Sequence, residues 1–180
     1  MNYIIYDIEA TCWDGAPPSD TQEIIELGAV RLNDYGEVMG TFDKFVRPVV
    51  HPRLSVICQQ LTSIRQEDVD RSRKFPDVIE HFQNWADMHD EDYILCSWGD
   101  FDRSIMIDNC ELHKMDSYWV DYHIDLKKQY KKIKGLKKTQ GLMKSLTKEG
   151  FEFTGIEHRA ISDAENLAKI FIKYFDEWVV

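Results

Sequence analysis

The chain lacks any apolar run of about 20 residues, the length a membrane-spanning helix needs, so no membrane association is expected. It also lacks a Cys-x-x-Cys pair. Cys12, Cys58, Cys96 and Cys110 are scattered, and no Cys/His cluster has zinc spacing. A structural zinc module is thereby excluded, and four reduced thiols are expected. No linker, internal repeat or low-complexity segment interrupts the 180 residues, which predicts one domain over residues 1–180. No basic, apolar leader precedes the first strand pattern, so no signal segment is expected and a cytoplasmic protein follows. Positive charge is scarce as well. A net charge of −10 makes a poor bulk field for a polyanion.

What is present argues for a packed fold. Apolar residues make up 43% of the chain, with five Trp, eight Tyr and nine Phe. Residues 2–8 read as a buried strand, followed by a polar loop from Trp13 to Thr21. Residues 23–32 and 38–47 give two further strands, the last ended by Pro48. Ser55 to Leu61 is a short helix. Pro76 to Met88 is a longer one, with Val78, Ile79, Phe82, Trp85 and Ala86 on one face. Residues 93–97 predict a buried strand, 101–112 a helix, and 118–124 a strand by alternation. One or two short helices broken near Gly135 follow, then a helix from about Arg159 to Phe175. The order β-β-β-α-β-α-β-α implies an α/β mixed sheet with helices on its faces.

The charge is unevenly placed. From Lys127 to Lys148 there are nine lysines and no acid. Such a run is either a solvated helix face or a surface that attracts phosphates. Lys131, Lys132, Lys137 and Lys138 are the candidates for contact with a nucleic-acid backbone.

The acids fall at strand ends and a helix start. In Asp7-Ile8-Glu9 the two carboxylates project to the same side of a strand, with Ile8 turned to the core. Two adjacent carboxylates repel when ionised, and a divalent cation removes that cost. Spacing alone favours the plainer reading, that they simply end a strand in solvent. Asp102 follows the 93–97 strand, where acids recur in ligand sites of open α/β sheets. It could instead cap a helix, although Asp100 stands nearer the strand for that task. His158 and Asp163 are five residues apart at the start of the last helix. Continuous helix would put them on different faces, whereas a loop position for His158, approached through Gly155, would free its ring. Carboxylate oxygens select Mg²⁺ or Mn²⁺ over zinc.

Three segments together resemble a known family. Asp7-Ile8-Glu9-Ala10-Thr11, Trp98-Gly99-Asp100-Phe101-Asp102 and His158-Arg159-Ala160-Ile161-Ser162-Asp163 are similar, in order, to the three motifs of DEDDh exonucleases. The likeness is to the Eri-type branch, with histone-mRNA 3′-exonucleases and bacterial KapD-like proteins. Gln22-Glu23-Ile24-Ile25-Glu26, Phe45-Val46-Arg47-Pro48 and Leu61-Thr62-Ser63-Ile64-Arg65-Gln66 add to it. The resemblance implies an RNase H-like fold with a five-stranded mixed sheet. It implies two Mg²⁺ or Mn²⁺ ions held by Asp7, Glu9, Asp102 and Asp163, with His158 as general base. It implies a terminal-nucleotide pocket lined by Ala10, Thr11, Leu61, Thr62 and Phe101. Ser63 stands where these relatives often have Gly, and Ile57 where they often have Phe. The implied activity is 3′→5′ hydrolysis of single-stranded nucleic acid, RNA favoured over DNA, releasing nucleoside 5′-monophosphates. A DNA-trimming or proofreading exonuclease and a catalytically silent binding module are the alternatives.

Overall fold

The computed structural model describes all residues except 16, 17, 19 and 20, so part of the predicted Trp13–Thr21 loop lies outside the described residues. Five strands form one mixed sheet. β1 (Asn2–Ala10) pairs antiparallel with β2 (Ile24–Leu32), and β2 antiparallel with β3 (Val38–Phe45). On its other side β1 pairs parallel with β4 (Tyr93–Ser97), which pairs parallel with β5 (His123–Asp125). The order β3-β2-β1-β4-β5 puts β1 at the centre. The predicted mixed sheet is therefore what the chain forms.

Seven α-helices are formed among the described residues: α1 (Val56–Thr62), α2 (Gln66–Asp70), α3 (Phe75–Trp85), α4 (Phe101–Leu112), α5 (Leu126–Ile133), α6 (Leu142–Glu149) and α7 (Ala160–Lys173). The pleat of β1 assigns its two faces. Ile4, Tyr6, Ile8 and Ala10 join one core with Val78, Ile79 and Phe82 of α3 and Met106 of α4. Ile5 joins the other, with Tyr130 of α5, Leu146 of α6, and Leu167 and Phe171 of α7. Asp7 and Glu9, two and four residues on from Ile5, share the α7 face. No helix among the described residues is long and apolar enough to cross a membrane.

One predicted strand is corrected. Of residues 118–124 only the end is strand, because Tyr118–Val120 forms a 3-10 turn. Asp116 decides this locally. Its carboxylate accepts from the Tyr118 N–H, and its carbonyl accepts from Trp119 Nε1. Such bonds favour a turn over a ladder whatever the apolar alternation. The helix α2 has only five residues, too few to show a period. Around Gly135 the chain does break into two helices, and Gly135 has φ +59°.

Two backbone positions set up the site. Gly28 faces Asp7 across the β1–β2 pair. A β-carbon there would overlap the backbone of Ala160 and Ile161, so only glycine lets the first turn of α7 rest on the sheet beside Asp7. Ser63 ends α1 in the left-handed region, with φ +58°. That conformation suits glycine, and here a serine holds it.

Candidate active site

Acids from three elements meet on the α7 face of β1. Asp7 and Glu9 come from β1, Asp102 from the first turn of α4, and Asp163 from the first turn of α7. Asp102 is 6% exposed, and its Oδ1 accepts the Ile8 N–H at 3.3 Å, which fixes α4 against the strand between Asp7 and Glu9. Asp100 occupies the N-cap position, as its place in the sequence suggested, but its side chain makes no capping hydrogen bond.

His158 lies outside the helix. It precedes the N-cap residue Arg159 and has φ +59°, a costly conformation for a non-glycine residue. Its N–H donates to Asp163 Oδ2 at 3.1 Å, which helps to hold that turn. The loop geometry defeats the five-residue helical offset. One ligand atom each from Glu9, His158 and Asp163 lie within 4.8 Å of one another. The imidazole is on the exposed side of this group and the carboxylates are half-buried.

The electrostatics are those of a site short of cations. Burial, then Asp102, Asp163 and Glu9, push the Asp7 carboxyl well above the usual carboxylate range. Burial, Asp163 and Glu26 push Glu9 up to about 9. Burial raises Asp102 to about 7 although the Ile8 N–H opposes it, and raises Asp163 to about 6 against the pull of His158. Each shift reports a negative charge held away from water and near others of its sign. The residues present thus fit a divalent cation, and the donors are hard oxygens.

Sequence reasoning missed what anchors the His158 loop. Glu26, fully buried on β2 opposite Glu9, accepts from Arg159 Nη2 at 2.7 Å and Nε at 3.0 Å. It also accepts the Ala160 N–H at 3.0 Å, so it caps α7 from another element. Arg159 stacks over the Phe45 ring, 5.0 Å from its centroid. An acid inside the apolar run of β2 was the only available signal, since a buried carboxylate must find a partner.

The expected pocket residues divide by environment. Leu61 and Phe101 are 46% and 55% exposed, large apolar side chains left in solvent. Ala10, Thr11 and Thr62 are buried. Thr11 Oγ1 accepts the Glu23 N–H, while Thr62 Oγ1 donates to the Cys58 carbonyl and accepts the Ile64 N–H. The two threonines thus hold the loops around them. Of the four lysines, Lys131 is half-buried and Lys132, Lys137 and Lys138 are exposed, on and after α5 beyond the β5 edge. Lys128 and Lys134 of the same run are paired with Asp125 and Glu149. Lys127 is the lysine whose charge reaches Asp102.

This arrangement coincides with a known family. The RNase_T family model, described as exonuclease, matches residues 4–171. The chain belongs to this exonuclease family. It is 32% identical to human 3′-5′ exoribonuclease 1 over 96% of its own length and 52% of that protein's. The chain thus spans about half the length of the first curated relatives it matches. It is 33% identical to the probable 3′-5′ exonuclease KapD of Bacillus subtilis (strain 168), over 93% of this chain and 82% of that one. Among solved structures it resembles the nuclease domain of 3′hExo, a DEDDh family member bound to rAMP. That likeness has a TM-score of 0.91 and 30% identity, over 98% of this chain and 92% of that one. Its architecture is the RNase H-like fold of these nucleases.

Proposed function

We propose that this exonuclease removes nucleotides one at a time from the 3′ end of single-stranded RNA, in a reaction that needs two divalent ions. The observation that carries the reading is the convergence of Glu9, His158 and Asp163 within 4.8 Å beside Asp7 and Asp102. The resemblance to exoribonucleases and to a nuclease domain bound to rAMP favours RNA over DNA. Asp7, Glu9, Asp102 and Asp163 are the residues that would hold the ions. When bound, Mg²⁺ or Mn²⁺ would supply an activated water and neutralise charge at the scissile phosphate. His158, on the open side of the carboxylates, accepts a proton from the attacking water at a ring nitrogen. Asp163 accepts the His158 backbone N–H and so holds the turn that carries the ring. Leu61 and Phe101 offer the apolar surface that a terminal base would cover. Ala10, Thr11 and Thr62 shape the pocket from beneath.

The test is digestion of 3′-labelled single-stranded RNA and DNA of one sequence before and after chelation. EDTA should abolish release of nucleoside 5′-monophosphates, and Mg²⁺ or Mn²⁺ should restore it, with RNA degraded faster. Undiminished hydrolysis after exhaustive chelation would sink the metal-dependent reading. Metal-restored RNA binding without any cleavage would leave a silent binding module.

His158→Asn should lower kcat by about 10²–10⁴-fold, the usual contribution of a general base. Divalent-ion affinity measured by titration calorimetry should stay near wild type, since the four carboxylates are untouched. A variant turning over within a fewfold of wild type would show that another group takes the proton.

A further inference from the structure

We propose that a groove on the β3 edge of the sheet, walled by Lys44, Arg71 and Arg73, binds the phosphodiester backbone of the substrate strand upstream of the scissile end. This rests on the nucleic-acid reading above and extends it to a surface that the catalytic motifs do not include.

The groove encloses about 430 Å³ and is lined by Lys44, Phe45, Arg71, Arg73 and His81, with Asp43 as its one acid. Three cations against one acid is a marked local reversal in a protein of net charge −10. Among the described residues none of the three cations is in an ion pair. Glu67 and Asp68 are both taken by Arg65, at 2.7 and 3.0 Å.

The arginines sit on a preformed turn. The Arg47 N–H donates to the Arg73 carbonyl at 2.8 Å, stitching the turn after α2 to the chain that leaves β3. Ser72 Oγ donates to the Asp68 carbonyl at 2.6 Å, closing the turn from inside. Backbone held in this way presents Arg71 and Arg73 at little ordering cost on binding. The guanidinium fork suits phosphate oxygens, which it can meet in pairs.

Sheet register places the groove level with the acidic centre, at the β3 edge of the sheet. Asp7 faces Gly28, which faces Asp43. Ile8, Leu27 and Lys44 stand in line, as do Glu9, Glu26 and Phe45. Along the strands the groove residues of β3 lie level with the site acids, two strand spacings away, roughly 10 Å between backbones. Asp43 and Phe45 share the face of Asp7 and Glu9, whereas Lys44, in line with Ile8 and Leu27, is on the α3 face with Val78 and His81, so the groove wraps around the β3 edge. Phe45 joins the two regions, because it lines the groove and also carries Arg159 on its ring. A strand whose last nucleotide lies over Asp7 and Glu9 would pass over the β3 edge to lay an earlier phosphate in the groove.

The experiment compares wild type with Arg71→Gln/Arg73→Gln, using a long single-stranded RNA and a dinucleotide. Fluorescence anisotropy with EDTA present reads binding without cleavage. Kd for the long RNA should rise roughly tenfold when these two exposed charges are removed, and its log–log salt slope should shrink by about 0.7 for each phosphate released. With Mg²⁺, KM for the long RNA should rise with kcat unchanged, and dinucleotide hydrolysis should match wild type. Lys44→Gln, on the opposite wall, should shift Kd and slope in the same direction, independently of any damage to the turn. Unchanged long-RNA affinity and salt slope in both variants would overturn the proposal. So would displacement of RNA by poly-glutamate with the same dependence on Arg71 and Arg73, which would assign the groove to an acidic protein. Variant-sensitive RNA binding by a wild type that cleaves nothing would uphold the groove and reject the hydrolytic reading alone.

Discussion

Asp7→Asn is expected to lower hydrolysis by on the order of a thousandfold or more while raising the thermal stability of the metal-free protein. The activity loss follows from position. Asp7 stands on the central strand, with Asp102, Asp163 and Glu9 all acting on its carboxyl. The stability gain follows from the same crowding, because an amide of equal shape removes one of the repelling charges. The pH dependence has a definite sign. Burial first and neighbouring acids second raise Glu9 to about 9, Asp102 to about 7 and Asp163 to about 6 in the folded chain. Unfolded carboxyls titrate near about 4, so the folded state binds more protons between those values. The stabilisation is complete below about pH 4 and is lost as pH rises through the range from 6 to 9. The metal-free melting temperature should therefore fall from mildly acidic to alkaline pH. Saturating Mg²⁺ should restore it, and Asp7→Asn should show a shallower fall. Scanning calorimetry across pH, paired with a nuclease assay, checks both. Activity within tenfold of wild type, or a metal-free variant less stable than wild type, would remove Asp7 from the centre.

Gly28→Ala should destabilise the fold by about 3 kcal/mol or more and depress activity with it. The added methyl has no flexible side chain to displace. It meets the backbone of Ala160 and Ile161, so α7 must lift from β2 and carry Asp163 and the His158 loop away from Asp7. Gly40→Ala on β3 is the matched control. The only nearby atom there is Trp85 Nε1 at 3.7 Å, an ordinary contact, so the change should stay within about 0.5 kcal/mol. Urea unfolding of both variants decides the matter. A Gly28→Ala cost no larger than that of the control would mean that α7 is not seated by this glycine.

The sheet was legible in the sequence wherever the period was clean. Ile4, Tyr6, Ile8 and Ala10 alternate against Ile5, Asp7 and Glu9, and that alternation alone put both carboxylates on one face. Tyr118 to Ile124 alternates just as well and still forms a turn first, because the deciding bonds come from Asp116, outside the periodic stretch. Among the site residues, His158 was open to two readings until its backbone angle was known, since nothing local announces a left-handed histidine. Glu26 signalled only that a buried acid needs some partner, and Gly28 signalled nothing of its place in the site. Their roles are contacts with residues more than 130 positions away, and the residue types alone carry no trace of such distant partners. The β3 groove was hidden for a similar reason. Its arginines and Lys44 are separated in the chain and come together only when the turn after α2 is stitched to the end of β3. The lysine run was conspicuous by contrast, yet Lys128 and Lys134 are occupied by acids of their own surroundings.

The Glu26–Arg159 clasp ties β2 to the turn that opens α7, across most of the sheet and six intervening helices in chain order. Synthesis runs in that order too. A nascent chain whose α7 is still inside the ribosome can hold Asp7, Glu9 and Asp102, but it has neither His158 nor Asp163 to set beside them. Until that helix emerges, Glu26 is also a carboxylate without its guanidinium, and the β2 surface around Gly28 stays uncovered. Completion of the candidate site and covering of the β2 surface therefore come together in the birth of the molecule, after all five strands have been made.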